Sequence, residues 1–479
     1  MEITSLKFII LTFLAVFIFY LINNKYRNLY LALLSCGFIA TYSISILVYI
    51  LAYTAVNFFL GLKIPDPKYK IKLFRVGVIF NLLQLVLLKY SSFAVDPIFK
   101  LFGLNVHVSA LSEILIPVGI SYFTLQGIGY LVNVKMGWEK PEKNFPEFLL
   151  YFTFFPKFLS GPVERSTHFL PQLKTTKVFN EHQVTDGIRI VLIGLFKKIA
   201  IANPLAPFIL SAYTNLNSTD GYSFWILFIL QPIYLYFDFS GYTDIAIGIS
   251  RTFGIDLLPN FNRPFLSENV STFWKRFHMS LSSWFNDYVF RQTSFKYRKW
   301  GVYASTYAVF LTWILFGIWH GAGWNFMVLG LLQALAINYE FFTKKFRIKL
   351  FAKVPDSLRI WTGRILTYLF YCVALVFFFS PDLKSAFAYF SRLDEFSGVS
   401  LSLLGPLSMT PFPVIIYIAV FLMMELLQND HLNTYNKLEK IWTSERKKSI
   451  IFRWVVYSIG ITLIFIASNQ MHQFVYVNF

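Results

Sequence analysis

GVYASTYAVFLTWILFGIWHGAGWNFMVLGLLQALAINY, residues 301–339, contains no Asp, Glu, Lys or Arg. One helical crossing of a bilayer needs about 20 apolar residues. The run is long enough for two crossings, and Gly321-Ala322-Gly323 is where a helix would break. A second uncharged run, Asn28 to Leu62, is again long enough for two short passes or one tilted one. The whole chain of 479 residues is 56% hydrophobic, 20% aromatic and 14% charged. Soluble domains average about 25% charged, so the chain reads as an all-α, polytopic membrane protein.

Further apolar segments extend the pattern. Candidate spans are 6–22, 29–62 (two), 73–92, 109–134, 146–163, 186–212, 222–250, 302–320, 324–342, 363–380, 411–428 and 451–468. That makes roughly eleven to thirteen crossings or partial crossings in a single integral membrane domain over residues 1–479. Polar Asn23-Asn24-Lys25-Tyr26-Arg27 follows Leu6–Ile22 where a cleavage site would be, so that segment is expected to stay as a first span. Cys36 and Cys372 both lie in apolar stretches, which argues against a disulfide or zinc site.

The formal net charge is +18. In a membrane protein such an excess marks cytoplasmic loops and anionic headgroups, so lipids rather than nucleic acid are the expected partners. Basic clusters at Lys296–Lys299, Lys344–Lys353 and Lys437–Arg453 share one face if two spans separate the last pair. The Lys63–Arg75 loop joins them, and Gln470–Phe479 then lies outside.

Among seven histidines, His320 alone sits deep in an uncharged run. A core histidine satisfied by a carbonyl is one reading. The other is a functional group, because an ionisable residue in a membrane is costly and imidazole is the usual general base near neutral pH. Trp319 and Trp324 exclude water, Gly321 and Gly323 allow close approach, and Asn325 adds an amide for oxyanion support. Placing the basic loops inside puts His278 near the inner face. His320 then sits at the far end of its span, or mid-membrane if the glycine break is re-entrant.

Two other constellations carry polar chemistry. In Tyr234-Leu-Tyr-Phe-Asp-Phe-Ser-Gly-Tyr-Thr-Asp244, two carboxylates, Asp238 and Asp244, interrupt an apolar stretch, with Ser240, Gly241 and Tyr242 between them. They fall on largely opposite helix faces unless Ser240-Gly241 kinks the helix. A structural pair with Lys or Arg and a substrate role are both open. In Ser271–Tyr288, the residues Trp274, Phe277, His278, Leu281 and Trp284 fit an amphipathic interfacial helix if the segment is helical. It is either structural or the inner mouth of a cavity, where Arg263, Lys275 and Arg276 would meet donor phosphates. Gly194-Leu-Phe-Lys-Lys198 sets two lysines beside an apolar helix. No P-loop, Gly-x-Ser-x-Gly elbow, CxxC or His-rich metal set is present, so no metal and no tightly bound cofactor are expected.

Eight pieces in order resemble the membrane-bound O-acyltransferase family: Pro117-Val-Gly-Ile-Ser-Tyr-Phe, Gly161-Pro162, Gly194-Leu-Phe-Lys-Lys, Asp238-Phe-Ser-Gly-Tyr-Thr-Asp, Asn260-Phe-Asn-Arg-Pro-Phe, Phe273-Trp-Lys-Arg-Phe-His-Met-Ser-Leu-Ser-Ser-Trp-Phe, Gly317-Ile-Trp-His-Gly and Phe474-Val-Tyr-Val-Asn-Phe. The nearest likeness is its bacterial alginate O-acetyltransferase branch, with the teichoic-acid D-alanylation membrane protein as a relative. The chain departs from that branch after Tyr288, at Asn286 and at Asn203. The resemblance implies that His320 is the family's near-invariant catalytic histidine and His278 its second, more variable one. It implies a helical shell with re-entrant segments around a central cavity, in a bacterial inner membrane. It also implies an acyl, by family weight acetyl, moving from acetyl-CoA or an acyl carrier protein thioester on the cytoplasmic side. The acceptor would be an exported glycan, or an extracytoplasmic esterase-fold partner that completes the transfer. D-alanyl transfer to teichoic acid is the alternative acyl reading. A proton-coupled transporter or flippase using Asp238, Asp244 and His320 as a relay is the rival outside acyl chemistry.

Overall fold

The structure, a computed structural model, describes residues 2–102, 119–159, 161–214, 216, 221–394, 419 and 446–467. These residues are helical almost throughout, and their one β pairing is an isolated bridge between Phe261 and Phe277. The long helices are α1 (Leu6–Leu21), α2 (Asn24–Ala40), α3 (Ile44–Lys63), α4 (Lys70–Lys89), α5 (Ile120–Met136), α6 (Phe145–Thr153), α7 (Glu181–Leu195), α8 (Asn203–Thr214), α9 (Gly221–Thr252), α10 (Val302–His320), α11 (Trp324–Leu350), α12 (Asp356–Phe379) and α13 (Lys447–Ala467).

The uncharged run Asn28–Leu62 is indeed two helices. The Ser43 side chain accepts a hydrogen bond from the Ile46 N–H, which caps α3 after a short break. The run 301–339 is likewise a hairpin: α10 stops at His320 and α11 starts at Trp324, with Gly321 and Gly323 extended between them. Segment 146–163 is not one span. Helix α6 ends at Thr153, Phe154 is non-helical, and one turn, Phe155–Phe158, follows with Pro156 near its start. Counting α7, a π-helical turn at Phe196–Ala202 and α8 as one unit, eight helices among the described residues are long and apolar enough to cross a membrane. Helix α1 is apolar but shorter, at 16 residues. All but one residue of the expected span 411–428, and the start of 109–134, lie outside the described residues. So do His107, His431, Pro117-Val118, Lys437, Lys440 and everything after Ala467.

Helix α9 organises the interior. Most of its residues from Phe224 to Thr252 are buried, polar Gln231, Asp238 and Ser240 included, as in a helix enclosed by others. Tyr234 and Phe237 join one aromatic core with α8, α10 and α12; Phe239, Ile245 and Ile249 join a second core with the N-terminal helices. Helix α7 runs antiparallel to α9 at backbone contact. A Cβ on Gly194 would sit 2.6 Å from the Gly241 carbonyl oxygen, and one on Gly187 would sit 2.6 Å from that of Gly248. Both pairs repeat at the same spacing, so glycine on each side lets the helices touch. Helix α9 continues through Ser240 and Gly241, and Gly241 serves this close approach.

Candidate active site

His320 is the last residue of α10 and is 4% exposed; His278 is fully buried. Both imidazoles line one cavity with Leu235, Trp274, Phe277, Phe316, Leu329, Tyr371, Leu375 and Phe378. Its volume is about 20 Å³, which holds a water molecule but not an acyl chain. The Trp319 indole touches both rings, at centroid distances of 4.9 Å to His320 and 6.0 Å to His278. Phe316 and Phe378 close the other sides of His320, at 4.7 and 5.6 Å. His278 also meets Phe239 of α9 edge-on at 4.6 Å.

The sequence pattern separates the two histidines; the structure brings both to one cavity. The reason is local. The expected amphipathic helix over Ser271–Tyr288 is broken into Val270–Trp274 and Met279–Phe285, and His278 sits between them with φ 47°. A left-handed conformation costs a non-glycine residue on the order of 1 kcal/mol or more. Asn260 holds the turn: its carbonyl accepts from Met279 N–H at 2.9 Å, and its side-chain oxygen accepts from the Ser280 hydroxyl at 2.5 Å. Val163 N–H donates to the same Ser280 oxygen at 2.9 Å. Glu340, the residue that ends the uncharged run, accepts from the N–H groups of Val270 and Ser271 at 2.6 and 3.0 Å. A carboxylate at that helix start is favourably placed. Trp274, Phe277, Leu281 and Trp284 of the segment are buried, and the Trp274 indole donates to Gln333 of α11 at 2.9 Å.

The basic residues assigned to the donor side meet on the same feature. The Asn262 N–H donates to the Arg276 carbonyl at 2.9 Å beside the Phe261–Phe277 bridge. Arg263 is left-handed at φ 50° and half-buried, Arg276 is half-buried, and Lys275 is exposed.

The residues proposed for substrate or oxyanion support divide differently. Trp319 is in the site. Asn325 is fully buried, but its amide donates to the carbonyls of Phe377 at 3.0 Å and Ser380 at 2.8 Å. It ties the start of α11 to the end of α12, so an oxyanion would need its donor elsewhere. Asp238, Ser240, Tyr242 and Asp244 do not line the cavity. Asp238 pairs with Lys198 where both are buried, and Asp244 pairs with Lys197 at 2.7 Å. The π-helical turn at Phe196–Ala202 lets adjacent lysines meet carboxylates on different turns of α9. Lys198 also lies over the Tyr242 ring at 5.2 Å. Phe239, the residue after Asp238 on α9, meets the His278 ring.

Two groups escaped the sequence reading. Lys89 and Tyr90, at the end of α4, reach the carbonyls that terminate α10. Glu164 is fully buried and bonds His168 at 2.9 Å. That bond raises the His168 pKa above its ordinary value, against a smaller lowering by partial burial. Among the described residues, no three His, Cys, Asp or Glu side chains are grouped to hold a metal ion.

Comparison with known proteins bears on the same stretch. A family model described as membrane-bound O-acyltransferase matches residues 142–381, which include both histidines. A probable alginate O-acetylase of Pseudomonas aeruginosa is 29% identical over 421 residues, 86% of this chain and 78% of the relative. A peptidoglycan O-acetyltransferase of Helicobacter pylori is 31% identical over 414 residues, 79% and 76% of the two chains. A teichoic acid D-alanyltransferase of Bacillus subtilis is 33% identical over 282 residues, 54% and 68% of the two chains. With half of its length matched by that model and such relatives aligned across most of the rest, this integral membrane protein belongs to the membrane-bound O-acyltransferase family.

Proposed function

We propose that the protein moves an acyl group, acetyl in the first instance, from a cytoplasmic thioester to a hydroxyl of an exported glycan or of a partner protein that completes the transfer. The observation that carries this reading is the pairing of His278 and His320 on one small cavity walled by apolar and aromatic side chains. In the step proposed, a hydroxyl oxygen attacks the thioester carbonyl and His320 takes its proton. The tetrahedral intermediate collapses, the carbon–sulfur bond breaks, and the thiolate leaves and recovers the proton from His320. His278, across the same space, shares that proton or orients the incoming hydroxyl.

Acetyl-CoA or an acyl carrier protein thioester would approach the turn bearing Arg263, Lys275 and Arg276, on the bacterial cytoplasmic side. The cavity has room for no more than a water molecule, so binding requires the aromatic walls to part. The Gly321–Gly323 break and the buried 260–285 segment are read as re-entrant, because irregular backbone at membrane depth must be covered by protein. We treat residues 1–479 as one catalytic domain.

D-alanyl transfer to teichoic acid is the second acyl reading, supported by the similarity to the teichoic acid D-alanyltransferase of Bacillus subtilis. The proton relay of a transporter draws less support, since Asp238 and Asp244 are each paired with a lysine. Membranes carrying the protein, given labelled acetyl-CoA, separate these readings. Label fixed on the glycan fraction supports acetyl transfer. Label fixed only from a D-alanyl carrier thioester supports the second. Glycan crossing with no label fixed from either donor contradicts both.

A further inference from the structure

An α-helix leaves its last four carbonyls without intrahelical donors. Helix α10 ends at His320, and the extended Gly321 that follows does not continue the ladder. Three of those carbonyls are met from α4. The Tyr90 hydroxyl donates to Ile318 O at 2.8 Å and to Trp319 O at 3.3 Å. The Lys89 ammonium donates to Trp319 O at 2.8 Å and to His320 O at 3.3 Å. Its third hydrogen goes to the Ser121 hydroxyl at 3.1 Å. The ring closes through Trp319, whose indole N–H donates to the Ser121 carbonyl at 3.2 Å.

The charge is suited to this place. A cation at a helix C-terminus faces the negative end of the helix dipole. Lys89 is half-buried, and among the described residues no carboxylate forms a salt bridge with it. Its ammonium also lies 5.7 Å from the centroid of the Trp319 ring. All three hydrogens are given to groups that fix either the α10 terminus or the indole shared by both imidazoles.

We propose that Lys89 is a positioning residue for the imidazole pair. It caps α10 from a neighbouring helix and so holds Trp319 and His320 in place against His278. The effect on transfer rests on the acyltransferase reading above; the effect on geometry does not.

The test uses the purified full chain in detergent or liposomes, with Lys89→Met and Lys89→Gln. Gln keeps an amide donor without the charge; Met keeps neither. Diethyl pyrocarbonate labelling, resolved by mass spectrometry, reports access to His320, with exposed His182 as the internal control. Loss of the cap should speed His320 labelling by about fivefold or more in Lys89→Met, with Lys89→Gln in between, since a misplaced group moves out of its packed geometry. Transfer from labelled acetyl-CoA should fall about tenfold or more in Lys89→Met with KM little changed, because orientation is lost rather than binding. Wild-type labelling and wild-type turnover in a folded Lys89→Met protein would overturn the proposal. If Lys89→Met does not fold, Lys89→Gln decides: unchanged His320 access and turnover there overturn it, and a shift in both supports it. No transfer by the folded wild type from either the acetyl or the D-alanyl donor, alongside faster His320 labelling in Lys89→Met, would sink the acyl reading alone.

Discussion

His278 and His320 lie against the same tryptophan, with the Trp319 ring centroid 6.0 Å from one imidazole and 4.9 Å from the other. Both rings border a space the size of a water molecule. That arrangement gives His278 more than the peripheral place its basic flanking sequence implies. Asparagine tolerates the left-handed conformation better than most residues, so His278→Asn should fold normally. Its transfer rate should fall about 10²-fold or more if the ring handles the proton. Circular dichroism, a melting curve and a donor assay on the same preparation check this. Transfer close to the wild-type rate would return His278 to a structural role.

The buried Lys198–Asp238 pair should matter for stability. Removing one partner of a buried pair costs about 3–5 kcal/mol, because the other charge is left in a poor solvent. Lys198→Met and Asp238→Leu should each lower the melting temperature sharply, and the double variant should recover much of the loss. The more exposed Lys197–Asp244 pair should show a smaller effect. Additive losses in a double-mutant cycle would mean that the two side chains do not interact.

The class of the fold is legible in the sequence because length and hydropathy alone decide it. Two uncharged runs give two helix pairs, broken where Ser43 and Gly321–Gly323 stand. The contributors to the site are legible only singly. Lys197-Lys198 and Asp238…Asp244 both stand out, but which lysine meets which carboxylate depends on a π-helical turn and on glycine contacts between α7 and α9. The periodicity of Trp274, Phe277, His278, Leu281 and Trp284 reads as one helix, because a period carries no information about Asn260 holding a reversed turn at His278. Lys89 lies inside the apolar segment 73–92, and no neighbour in the sequence names its partners. Its true partners are carbonyls far along the chain.

A pH dependence follows from His168, which lies on the short helix Ser166–Leu173, outside the spans. Its pKa is raised first by the hydrogen bond to Glu164, with Glu164 and Asp256 also contributing charge. A raised folded-state pKa adds stability that is fully present below the unfolded value of about 6.5. That stability disappears as pH rises through the folded value. His168→Gln should therefore be less stable than the wild type at pH 5.5–6, with the gap closing on the alkaline side (about pH 8 and above). Melting temperatures of both proteins across that range measure it. A gap that widens with rising pH would contradict the assignment.

The central claim is that the buried imidazole at the end of α10 takes the acceptor's proton. A general base contributes about 10²–10⁴-fold to such a reaction. The direct measurement is acyl transfer from a labelled thioester by His320→Ala, expressed and folded like the wild type. The account predicts a loss of about 10²-fold or more with donor binding retained. Transfer at the wild-type rate would contradict it.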